Sequence, residues 1–536
     1  MATNLSLYLV TDSTPAILGD RDLCTVVEEA IKGGVTIVQY RDKHSDTGVQ
    51  ITTAKKLHEI TRAHNIPLII NDRVDIALAV GAEGIHVGQD DMDVEEVKKM
   101  MPEGAIIGAS VSSVEEARIA VEKGATYLGI GAIYATPTKK DTKSIRGPAG
   151  AREILSFLST LPDMKIGTVA IGGINLSNVQ RVLYKSQSTS QALGGVAVVS
   201  AIIGATDPKH AAALLSSAIS LPPSFATTPF MARPKEAAAL ISEVPHLVHK
   251  VATENPLCHN MINYVVANFA ANTALAVGAS PIMSGYGPEA PDLAKNGGAL
   301  LINIGTLTGD SVDHYLQAVQ AYNEVGGPVV LDPVGAAATQ VRRDAVKKLL
   351  AGGYFDLIKG NESELKYLYS QGGGHHQVGV DSGPSTLGSK EKAKLVLELA
   401  RRERCIVLLT GPIDYLSDGE RVVAVGNGHK LLGQVTGTGC VIGTLATAFL
   451  AIHRSDKLLS VLSALLVFEI AAENAAARDS VQGPGTFVAA LLDELYKLRM
   501  GVVAAGGEDG KGKGKEKEGN NSNVFAQRAK INLVAV

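Results

Sequence analysis

The sequence lacks tryptophan, and aromatic residues make up only 4% of its 536 residues. Glycine, by contrast, is abundant, with 56 residues. This aromatic-poor, glycine-rich composition is typical of α/β proteins, in which small residues let strand-to-helix loops turn tightly. The length excludes a single hydrophobic core, so we expect two or three domains.

The chain also lacks a strong charge of either sign. Its 50 Lys and Arg residues nearly balance 54 Asp and Glu residues, which leaves a formal net charge of −4. That balance provides no electrostatic reason to expect a nucleic acid or an anionic membrane as a partner. We therefore expect small-molecule substrates, with no nucleic acid and no membrane.

Long uninterrupted apolar runs and paired cysteines are missing too. The apolar stretches 441–452 and 458–477 are short or interrupted by Glu469 and Glu473, and they predict buried core helices. Four cysteines are widely spaced, none in a C-x-x-C motif, and the first residues carry no basic segment of a signal peptide. These features predict reduced thiols and a cytoplasmic location.

Shifts in composition predict the domain organisation. Prolines, serines and threonines punctuate the sequence after residue 218, and a glycine- and charge-rich tract that cannot bury apolar surface lies near the C-terminus. The predicted parts are a first domain (1–218), a linker (219–236), a second domain (237–504), a disordered tract (505–525) and a C-terminal segment with strand character that docks on the second domain (526–536).

The first domain repeats one unit, in which an apolar strand ends in a polar or glycine-rich turn and a helical pattern follows. Eight such strands occur in about 210 residues, which favours a closed (β/α)₈ TIM barrel over an open sheet. The strands lie within 7–12, 36–43, 67–73, 84–90, 105–111, 127–139, 168–174 and 195–200.

Polar residues at the strand ends form a coherent set, because TIM-barrel active sites lie where the strands end. Arg41, Lys43 and Lys139 are cations suited to a multiply charged phosphate group. Asp72 and Asp91 are oxygen ligands suited to Mg²⁺ together with a substrate phosphate. Any one of these residues is more often a turn residue or a solvated charge, but the whole set predicts two anion sites, one of them with a metal.

A second anion site is predicted after strands seven and eight. Gly172 and Gly173 follow one strand and Ser200 follows the other, where bare backbone N–H groups can approach an anion. The pocket would therefore accept two phosphorylated substrates, one of them a diphosphate.

The motifs of this domain resemble those of thiamine-phosphate synthase over nearly all of residues 5–215. They are QYRDK (39–43), ND (71–72), HVGQDD (86–91), GAS (108–110), GIGAIYATPTK (129–139) and AIGGI (170–174). The resemblance implies that a hydroxymethylpyrimidine diphosphate is joined to a thiazole phosphate. It assigns the pyrimidine diphosphate to Gln39, Tyr40, Arg41, Asp42, Lys43, Asn71, Ser110 and Lys139. It assigns Mg²⁺ to Asp72 and Asp91, and the thiazole phosphate to Thr136, Pro137, Thr138, Gly173, Val199 and Ser200.

The second domain again alternates strands and helices, and it contains no P-loop motif, which excludes a P-loop kinase. A glycine-rich turn at 433–440 opens a long apolar helix and would present free N–H groups to a phosphoryl group. Cys440 lies in the first turn of that helix, where a lowered thiol pKa is expected. The alternative, a small buried cysteine, is equally consistent with this segment alone.

This pattern resembles hydroxyethylthiazole kinase, a member of the ribokinase-like group, over roughly residues 240–500. The matching motifs are the run 263–284, NIGTL (303–307), VLDPVG (330–335), KGNESE (359–364), TGPID (410–414) and VTGTGC (435–440). The resemblance implies a ribokinase-like α/β fold and ATP as co-substrate. Cysteine stands where most ribokinase-like enzymes carry aspartate, and it is the form found in thiazole kinases.

The same resemblance implies residue roles in the kinase half. Met283 and Gly437 would contact the thiazole alcohol, Lys359 and Thr410 would contact ATP, and Cys440 would accept the alcohol proton or position the alcohol. Asp332 and Glu362 are candidate Mg²⁺ partners, and Lys359 could instead form a structural ion pair. A homo-oligomer built on a kinase trimer is implied as well.

Two other interpretations remain open. The barrel could be an isomerase or aldolase fused to a sugar kinase, although the Asp72/Asp91 pair and the absence of a Schiff-base lysine inside a strand disfavour it. One half could also be a non-enzymatic scaffold, which the intact site sets disfavour. The segment 371–390 predicts a surface loop, in which His375 and His376 are more consistent with a solvated loop than with a metal site.

Overall fold

The computed structural model describes residues 3–134, 147–161, 166–188, 190–223, 236–370, 386–506 and 524–536. The chain divides into two compact units, Met1–Pro223 and Ser224–Val536.

The first unit is a closed barrel of eight parallel strands in sequential order, as predicted. The strands are β1 (Leu7–Val10), β2 (Ile37–Tyr40), β3 (Leu68–Asn71), β4 (Gly84–Val87), β5 (Ile106–Val111), β6 (Tyr127–Ile130), β7 (Gly167–Ile171) and β8 (Gly195–Val198). The helices are α1 (Leu23–Lys32), α2 (Thr47–Ala63), α3 (Val74–Val80), α4 (Val94–Met100), α5 (Val114–Glu122), α6 (Gly147–Leu158), α7 (Val179–Ser186), α8 (Ser200–Ile203) and α9 (Pro208–Ser220).

Alternation along each strand divides the barrel into two apolar clusters. Leu7 and Leu9 belong to the cluster between strands and helices, whereas Tyr8 belongs to a smaller cluster with Ile37, Ile69 and other residues of alternate parity. Because successive side chains of a strand point to opposite faces, the smaller cluster fills the barrel interior. This parity decides which residues at the strand ends can reach a pocket inside the barrel.

The second unit contains a nine-stranded sheet in the order β10-β9-β11-β12-β13-β14-β15-β16-β17. Its strands are β9 (Leu257–Met261), β10 (Ser280–Ile282), β11 (Ala299–Asn303), β12 (Val329–Asp332), β13 (Leu357–Asn361), β14 (Ile406–Thr410), β15 (Asp414–Ser417), β16 (Val422–Val425) and β17 (Ile531–Leu533). The pairings from β10 to β14 are parallel, and those from β14 to β17 are antiparallel.

Helices cover this sheet. They are α10 (Ala237–Glu254), α11 (Ala267–Val277), α12 (Ala290–Lys295), α13 (Ser311–Glu324), α14 (Gln340–Gly352), α15 (Glu362–Tyr369), α16 (Ser389–Glu403), α17 (Thr438–Ile452), α18 (Lys457–Ala476), α19 (Pro484–Gly506) and α20 (Val524–Arg528). Short 3₁₀ turns occur at Gly287–Glu289 and Lys430–Gln434. The predicted fold class, a TIM barrel followed by a ribokinase-like α/β domain, is confirmed.

Helix α18 is the one helix among the described residues that is long and apolar enough to cross a membrane by length and composition. However, 89% of its apolar window is buried inside the protein, against α17 and α19 among others. A helix that is apolar on all sides is expected at the centre of a large core.

The C-terminal residues complete the sheet of the second unit. Strand β17 pairs antiparallel with β16, and Phe525 on α20 is fully buried in the larger core of this unit. The Lys530 carbonyl accepts a hydrogen bond of 2.8 Å from the Gly426 amide. The segment after residue 523 is therefore part of the folded second unit.

Candidate active sites

In the barrel, the predicted site residues that the structure describes lie at the carboxyl ends of the strands. Asn71 is the last residue of β3, and Gln39 and Ser110 are the last but one of β2 and β5; all three have the parity of the barrel interior. The loop after β2 carries Arg41 and Lys43. The predicted residues Thr136, Pro137, Thr138 and Lys139 lie outside the described residues.

Two carboxylates meet at this end of the barrel. Asp72 follows β3, and its side chain is hydrogen-bonded to Asp91 and paired with the ammonium of Lys43. Burial and the neighbouring Asp91 raise the pKa of Asp72, and Lys43 offsets part of that effect. The Gly88 amide donates a 2.8 Å hydrogen bond to Asp91, which holds the second carboxylate in place.

The chemistry of this pair fits a divalent cation. Two adjacent carboxylates repel each other unless a proton or a cation lies between them. Mg²⁺ in proteins is commonly held by one or two carboxylates together with substrate phosphates. No group of three or more His, Cys, Asp or Glu side chains able to hold a metal occurs among the described residues. Asp72 and Asp91 would hold Mg²⁺ together with substrate oxygens and water.

Glycine backbone without side chains lies at the end of strand β7, beside strand β8. Gly172 and Gly173 follow β7 with positive φ angles of 105° and 64°. A Cβ atom on Gly172 would lie 2.8 Å from the Ala132 Cβ, so the chain passes close to the end of β6 there. Val199 and Ser200 follow β8, and Ser200 begins α8. These residues form the predicted anion site without a metal, and phosphate binding there stays a prediction.

Two of the residues predicted to bind the pyrimidine diphosphate, Tyr40 and Asp42, contact the protein outside the barrel interior. Tyr40 lies on the outer face of β2, buried in the cluster between strands and helices. Its hydroxyl donates to Asp42, whose carboxylate also accepts the backbone N–H groups of His44 and Ser45. Tyr40 and Asp42 therefore shape the loop that carries Arg41 and Lys43, and their contact with the pyrimidine diphosphate stays a prediction. The parity of β2 places Gln39, and not Tyr40, inside the barrel.

Residues that the sequence reasoning missed lie beneath these strand ends. Tyr8, Tyr127 and His86 form a buried hydrogen-bonded chain inside the barrel, between the predicted ligands Gln39 and Ser110. The available signal was period-two alternation, because all three residues have the inward parity of their strands. It was missed because attention to strand ends passes over polar residues in strand centres.

In the second unit, a polar cluster lies where β11, β12 and β13 end. Asn303 donates a 2.8 Å hydrogen bond to Asp332, and Lys359 donates one of 3.0 Å to the other oxygen of the same carboxylate. Both members of the Asp332–Lys359 pair are buried. Although burial opposes its charge, Asp332, Cys440 and Glu364 raise the pKa of Lys359. The structural ion pair considered for Lys359 is thus present.

Cys440 lies beside this cluster in the first turn of α17. The Asn263 side chain donates to its Sγ at 3.6 Å and to Asn303 at 3.0 Å. Burial, followed by the negative charge of Asp332, raises the pKa of the Cys440 thiol to about 12. The expectation of a lowered pKa was therefore wrong, because burial beside a carboxylate outweighs the helix terminus and Lys359.

The glycine-rich turn has the geometry that the sequence predicts. Gly437 caps α17 with a φ of 86°, and a Cβ atom there would overlap the Val266 side chain. The Val441 amide donates to the Gly437 carbonyl, so the N–H groups of residues 438–440 have no partner within the helix. These groups lie beside Lys359, since a Cβ on Gly439 would be 4.0 Å from its Nζ.

Two other predicted kinase residues, Thr410 and Met283, lie at the ends of strands. Thr410 ends β14, and its hydroxyl donates a long 3.4 Å hydrogen bond to the Gly360 carbonyl. Met283 follows β10, with its side chain 36% exposed.

Glu362 is the first residue of α15, and its role as a Mg²⁺ partner beside Asp332 stays a prediction. Its carboxylate accepts hydrogen bonds from Lys366 and from the backbone amides of Thr386 and Leu387. Glu364 is the carboxylate closer to the cluster: it accepts the Gly335 and Asn361 amides, each at 2.8 Å. Burial and the charge of Asp332 raise the pKa of Glu364 to about 7.

These geometries define an α/β chain with two separate phosphate-handling sites, one in each unit. Comparisons with known proteins agree with this division. The family model of thiamine monophosphate synthase matches residues 7–202, and that of the hydroxyethylthiazole kinase family matches residues 248–501.

Relatives match both halves together. A probable thiamine biosynthetic bifunctional enzyme of Schizosaccharomyces pombe is 41% identical, and the match covers 92% of this chain and 95% of the relative. A thiamine biosynthetic bifunctional enzyme of Saccharomyces cerevisiae is 34% identical with the same coverage. A hydroxyethylthiazole kinase of Pyrococcus furiosus is 43% identical over 46% of this chain and 91% of the relative.

The chain therefore belongs to the family of thiamine biosynthetic bifunctional enzymes, which join a thiamine monophosphate synthase to a hydroxyethylthiazole kinase. The resemblance predicted from the motifs is confirmed, and so are the two predicted enzyme classes. Neither an isomerase or aldolase fused to a sugar kinase nor a non-enzymatic scaffold is supported by these matches.

Proposed function

We propose that the chain catalyses two consecutive steps of thiamine biosynthesis. The second unit transfers the γ-phosphoryl group of ATP to the alcohol of 4-methyl-5-(2-hydroxyethyl)thiazole. The first unit condenses the thiazole phosphate with 4-amino-2-methyl-5-(diphosphooxymethyl)pyrimidine, which yields thiamine phosphate and pyrophosphate. The observation that carries this proposal is the end-to-end match with bifunctional relatives, which places both activities in one chain.

In the barrel, the chain's own cations would hold the leaving group. Arg41, Lys43 and Lys139 would bind the diphosphate, and Gln39, Asn71 and Ser110 would hold the pyrimidine. The C–O bond to the pyrimidine methylene breaks with its electron pair leaving on pyrophosphate, and the thiazole nitrogen attacks that carbon. The dominant contribution of the protein is electrostatic stabilisation of the leaving group.

Two further groups complete the synthase proposal. Mg²⁺ held by Asp72 and Asp91 would supply positive charge that stabilises the departing pyrophosphate. Backbone N–H groups near Gly173, Val199 and Ser200, together with the predicted residues Thr136, Pro137 and Thr138, would hold the thiazole phosphate. The attacking nitrogen carries no proton, so no general base is required for the C–N bond.

In the second unit, Cys440 would position the alcohol rather than remove its proton. A thiol with a pKa of about 12 is neutral near pH 7 and is therefore a poor base. Phosphoryl transfer through a loose transition state depends mainly on positioning and charge stabilisation. The N–H groups of residues 438–440 and Lys359 would stabilise the transferred group, with Thr410 near the nucleotide and Met283 and Gly437 against the thiazole.

We also propose the remaining organisation. The synthase would occupy 1–218 and the kinase 237–504, with 219–236 as linker, and the protein would be cytoplasmic. It would form a homo-oligomer through its kinase half, as a trimer, which light scattering of the purified chain would measure. A monomer with full kinase activity would contradict the trimer proposal.

The two activities can be tested in one purified protein. Thiazole alcohol, ATP, Mg²⁺ and the pyrimidine diphosphate should together yield thiamine phosphate. Omission of the pyrimidine should leave thiazole phosphate to accumulate, and replacement of the alcohol by thiazole phosphate should remove the requirement for ATP. A chain that makes no thiamine phosphate from the two phosphorylated substrates would contradict the synthase proposal.

A further inference from the structure

A chain of hydrogen bonds crosses the barrel interior below the proposed pyrimidine site. The Gln39 amide nitrogen donates to the Tyr8 hydroxyl at 2.9 Å, and the Tyr8 and Tyr127 hydroxyls are 2.7 Å apart. The Tyr127 hydroxyl lies 2.8 Å from His86 Nδ1, and His86 Nε2 lies 2.9 Å from the Ser110 hydroxyl. The chain connects strand β2 to strand β5.

Two glycines on neighbouring strands make room for this chain. A Cβ atom on Gly108 would overlap the Tyr127 ring, and one on Gly129 would lie 3.0 Å from His86 Cε1. All five members of the chain are buried or, for Ser110, partly buried. Burial raises the pKa of Tyr8 and of Tyr127, so both phenols are neutral near pH 7.

Neutral donors allow the direction of the bonds to be worked out. The amide nitrogen of Gln39 cannot accept, so the Tyr8 proton has the Tyr127 oxygen as its acceptor. The Tyr127 proton then goes to His86 Nδ1, which leaves the imidazole proton on Nε2, donated to Ser110. Reversal of the Tyr8–Tyr127 bond would leave the buried Tyr8 proton without an acceptor in this chain, which is unfavourable.

We infer that Tyr127 is a positioning residue of the synthase site: its hydroxyl donates to His86 Nδ1, so His86 Nε2–H donates to Ser110, whose own hydroxyl proton can then be donated to substrate. The inference rests on the proposed function, in which Gln39 and Ser110 hold the pyrimidine. Because the Ser110 hydroxyl accepts a hydrogen bond from His86, its own proton is available to a bound ligand. This suits a ring nitrogen acceptor such as that of an aminopyrimidine.

The two tyrosines should differ in their effects. Tyr127→Phe keeps the ring in its glycine-made space but removes both the acceptor for Tyr8 and the donor to His86. We expect the KM for the pyrimidine diphosphate to rise about tenfold, with a smaller change in kcat, since tenfold corresponds to about 1.4 kcal/mol, the upper range for one hydrogen bond. Tyr8→Phe leaves the Tyr127–His86–Ser110 direction intact, so its KM should rise by less than about threefold.

The same polypeptide supplies controls. Tyr184→Phe removes a hydroxyl on the outer helix α7 and should leave the KM for the pyrimidine diphosphate unchanged. The kinase activity of each variant reports on the folding of the second unit, and circular dichroism reports on the barrel. An unchanged KM in Tyr127→Phe, or equal effects of Tyr127→Phe and Tyr8→Phe, would overturn the inference.

A spectroscopic measurement separates this inference from the proposed function. Nitrogen NMR of ¹⁵N-histidine-labelled full chain, with His86→Asn to assign the resonance, should show protonated Nε2 and unprotonated Nδ1. Tyr8→Phe should keep this tautomer of His86. In Tyr127→Phe, the Nε2-protonated tautomer should no longer be the dominant one. Protonated Nδ1 in the wild type would refute the positioning role of Tyr127, even if the synthase is active. An inactive wild type with the expected tautomer would refute only the proposed function.

Discussion

Asp72 and Cys440 show how surroundings decide the charge of single residues in this protein. Burial raises the pKa of both groups, and each lies near a carboxylate: Asp91 is beside Asp72, and Asp332 is beside Cys440. The consequences differ. A pair of carboxylates can be neutralised by a cation, whereas a buried thiol beside a paired carboxylate keeps its proton.

Replacement of Asp72 tests the carboxylate pair. Asp72 has a φ of 62°, which asparagine tolerates better than alanine, so Asp72→Asn is the appropriate change. We expect synthase kcat/KM to fall at least about 100-fold, and Mg²⁺ with pyrophosphate to stop raising the thermal midpoint of the barrel. Kinase turnover in the same samples is the control, and retained Mg²⁺-dependent stabilisation would contradict the metal assignment.

The Cys440 thiol leads to a pH prediction. Because its pKa is raised to about 12, the thiolate fraction is small at pH 7 and grows about tenfold per pH unit up to pH 10. Alkylation of the Cys440 peptide, followed by mass spectrometry, should therefore accelerate without a plateau across this range. Glutathione, as a free thiol, should level off above about pH 9. A plateau for Cys440 below pH 9 would show an ordinary or lowered pKa.

A companion variant tests the role of Cys440. Cys440→Ala should reduce kinase turnover by about 100-fold or more and spare the synthase, because the two sites lie in separate compact units. Cys440→Ser, which keeps a small hydrogen-bonding group, should retain more activity than Cys440→Ala if positioning is the role. Equal loss in both activities of either variant would indicate misfolding instead.

At the scale of elements, the turn that opens α17 depends on one glycine more than on its neighbours. Gly437 needs a positive φ and has no space for a Cβ, whereas a Cβ on Gly433 would have no atom within 4 Å. Gly437→Ala should lower kinase kcat/KM about 100-fold and destabilise the second unit by about 1–2 kcal/mol. Gly433→Ala is the matched control, and similar activities of the two variants would contradict the assigned geometry.

The C-terminal elements support the segment that leads into this turn. Glu473 on α18 accepts hydrogen bonds from Gly428 and from the tail residues Arg528 and Lys530, so the tail and the approach to the turn share one carboxylate. The tail lies beyond residues 248–501, to which the kinase family model corresponds. Its strand β17 completes the sheet of this unit.

Two tail variants measure that support. Phe525→Ala, at a fully buried position, should destabilise the second unit by about 3–5 kcal/mol. Leu533→Ala, at a side chain that is 36% exposed, should cost less than about 1 kcal/mol. Chemical denaturation followed by kinase activity would measure both. A Phe525→Ala protein as stable as Leu533→Ala would show that the tail contributes little.

At the scale of the whole molecule, the two units have separate hydrophobic clusters and separate sites. We therefore expect residues 1–223 and 236–536, produced as separate fragments, to fold and to make thiamine phosphate when mixed. The measurement is the steady-state rate of the mixture compared with that of the intact chain. A synthase fragment that folds but is inactive alone would show that the barrel requires the second unit.

The sequence by itself determined the order of strands and helices, the barrel and the family of both halves. Local patterns suffice for these, because apolar alternation and glycine-rich turns act over a few residues, and the motifs keep their order and spacing. The pairing of Asp72 with Asp91 could be expected too, since both residues follow neighbouring strands of a parallel barrel.

Only the tertiary structure decided the surroundings of individual side chains. Strand parity placed Tyr40 outside the barrel and brought Tyr127 and His86 beneath Ser110, across strands that are far apart in sequence. Burial next to Asp332 reversed the expected direction of the Cys440 pKa shift. The physical reason is the same in each case: desolvation and hydrogen bonding depend on neighbours that the fold brings together, and a local sequence pattern does not contain them.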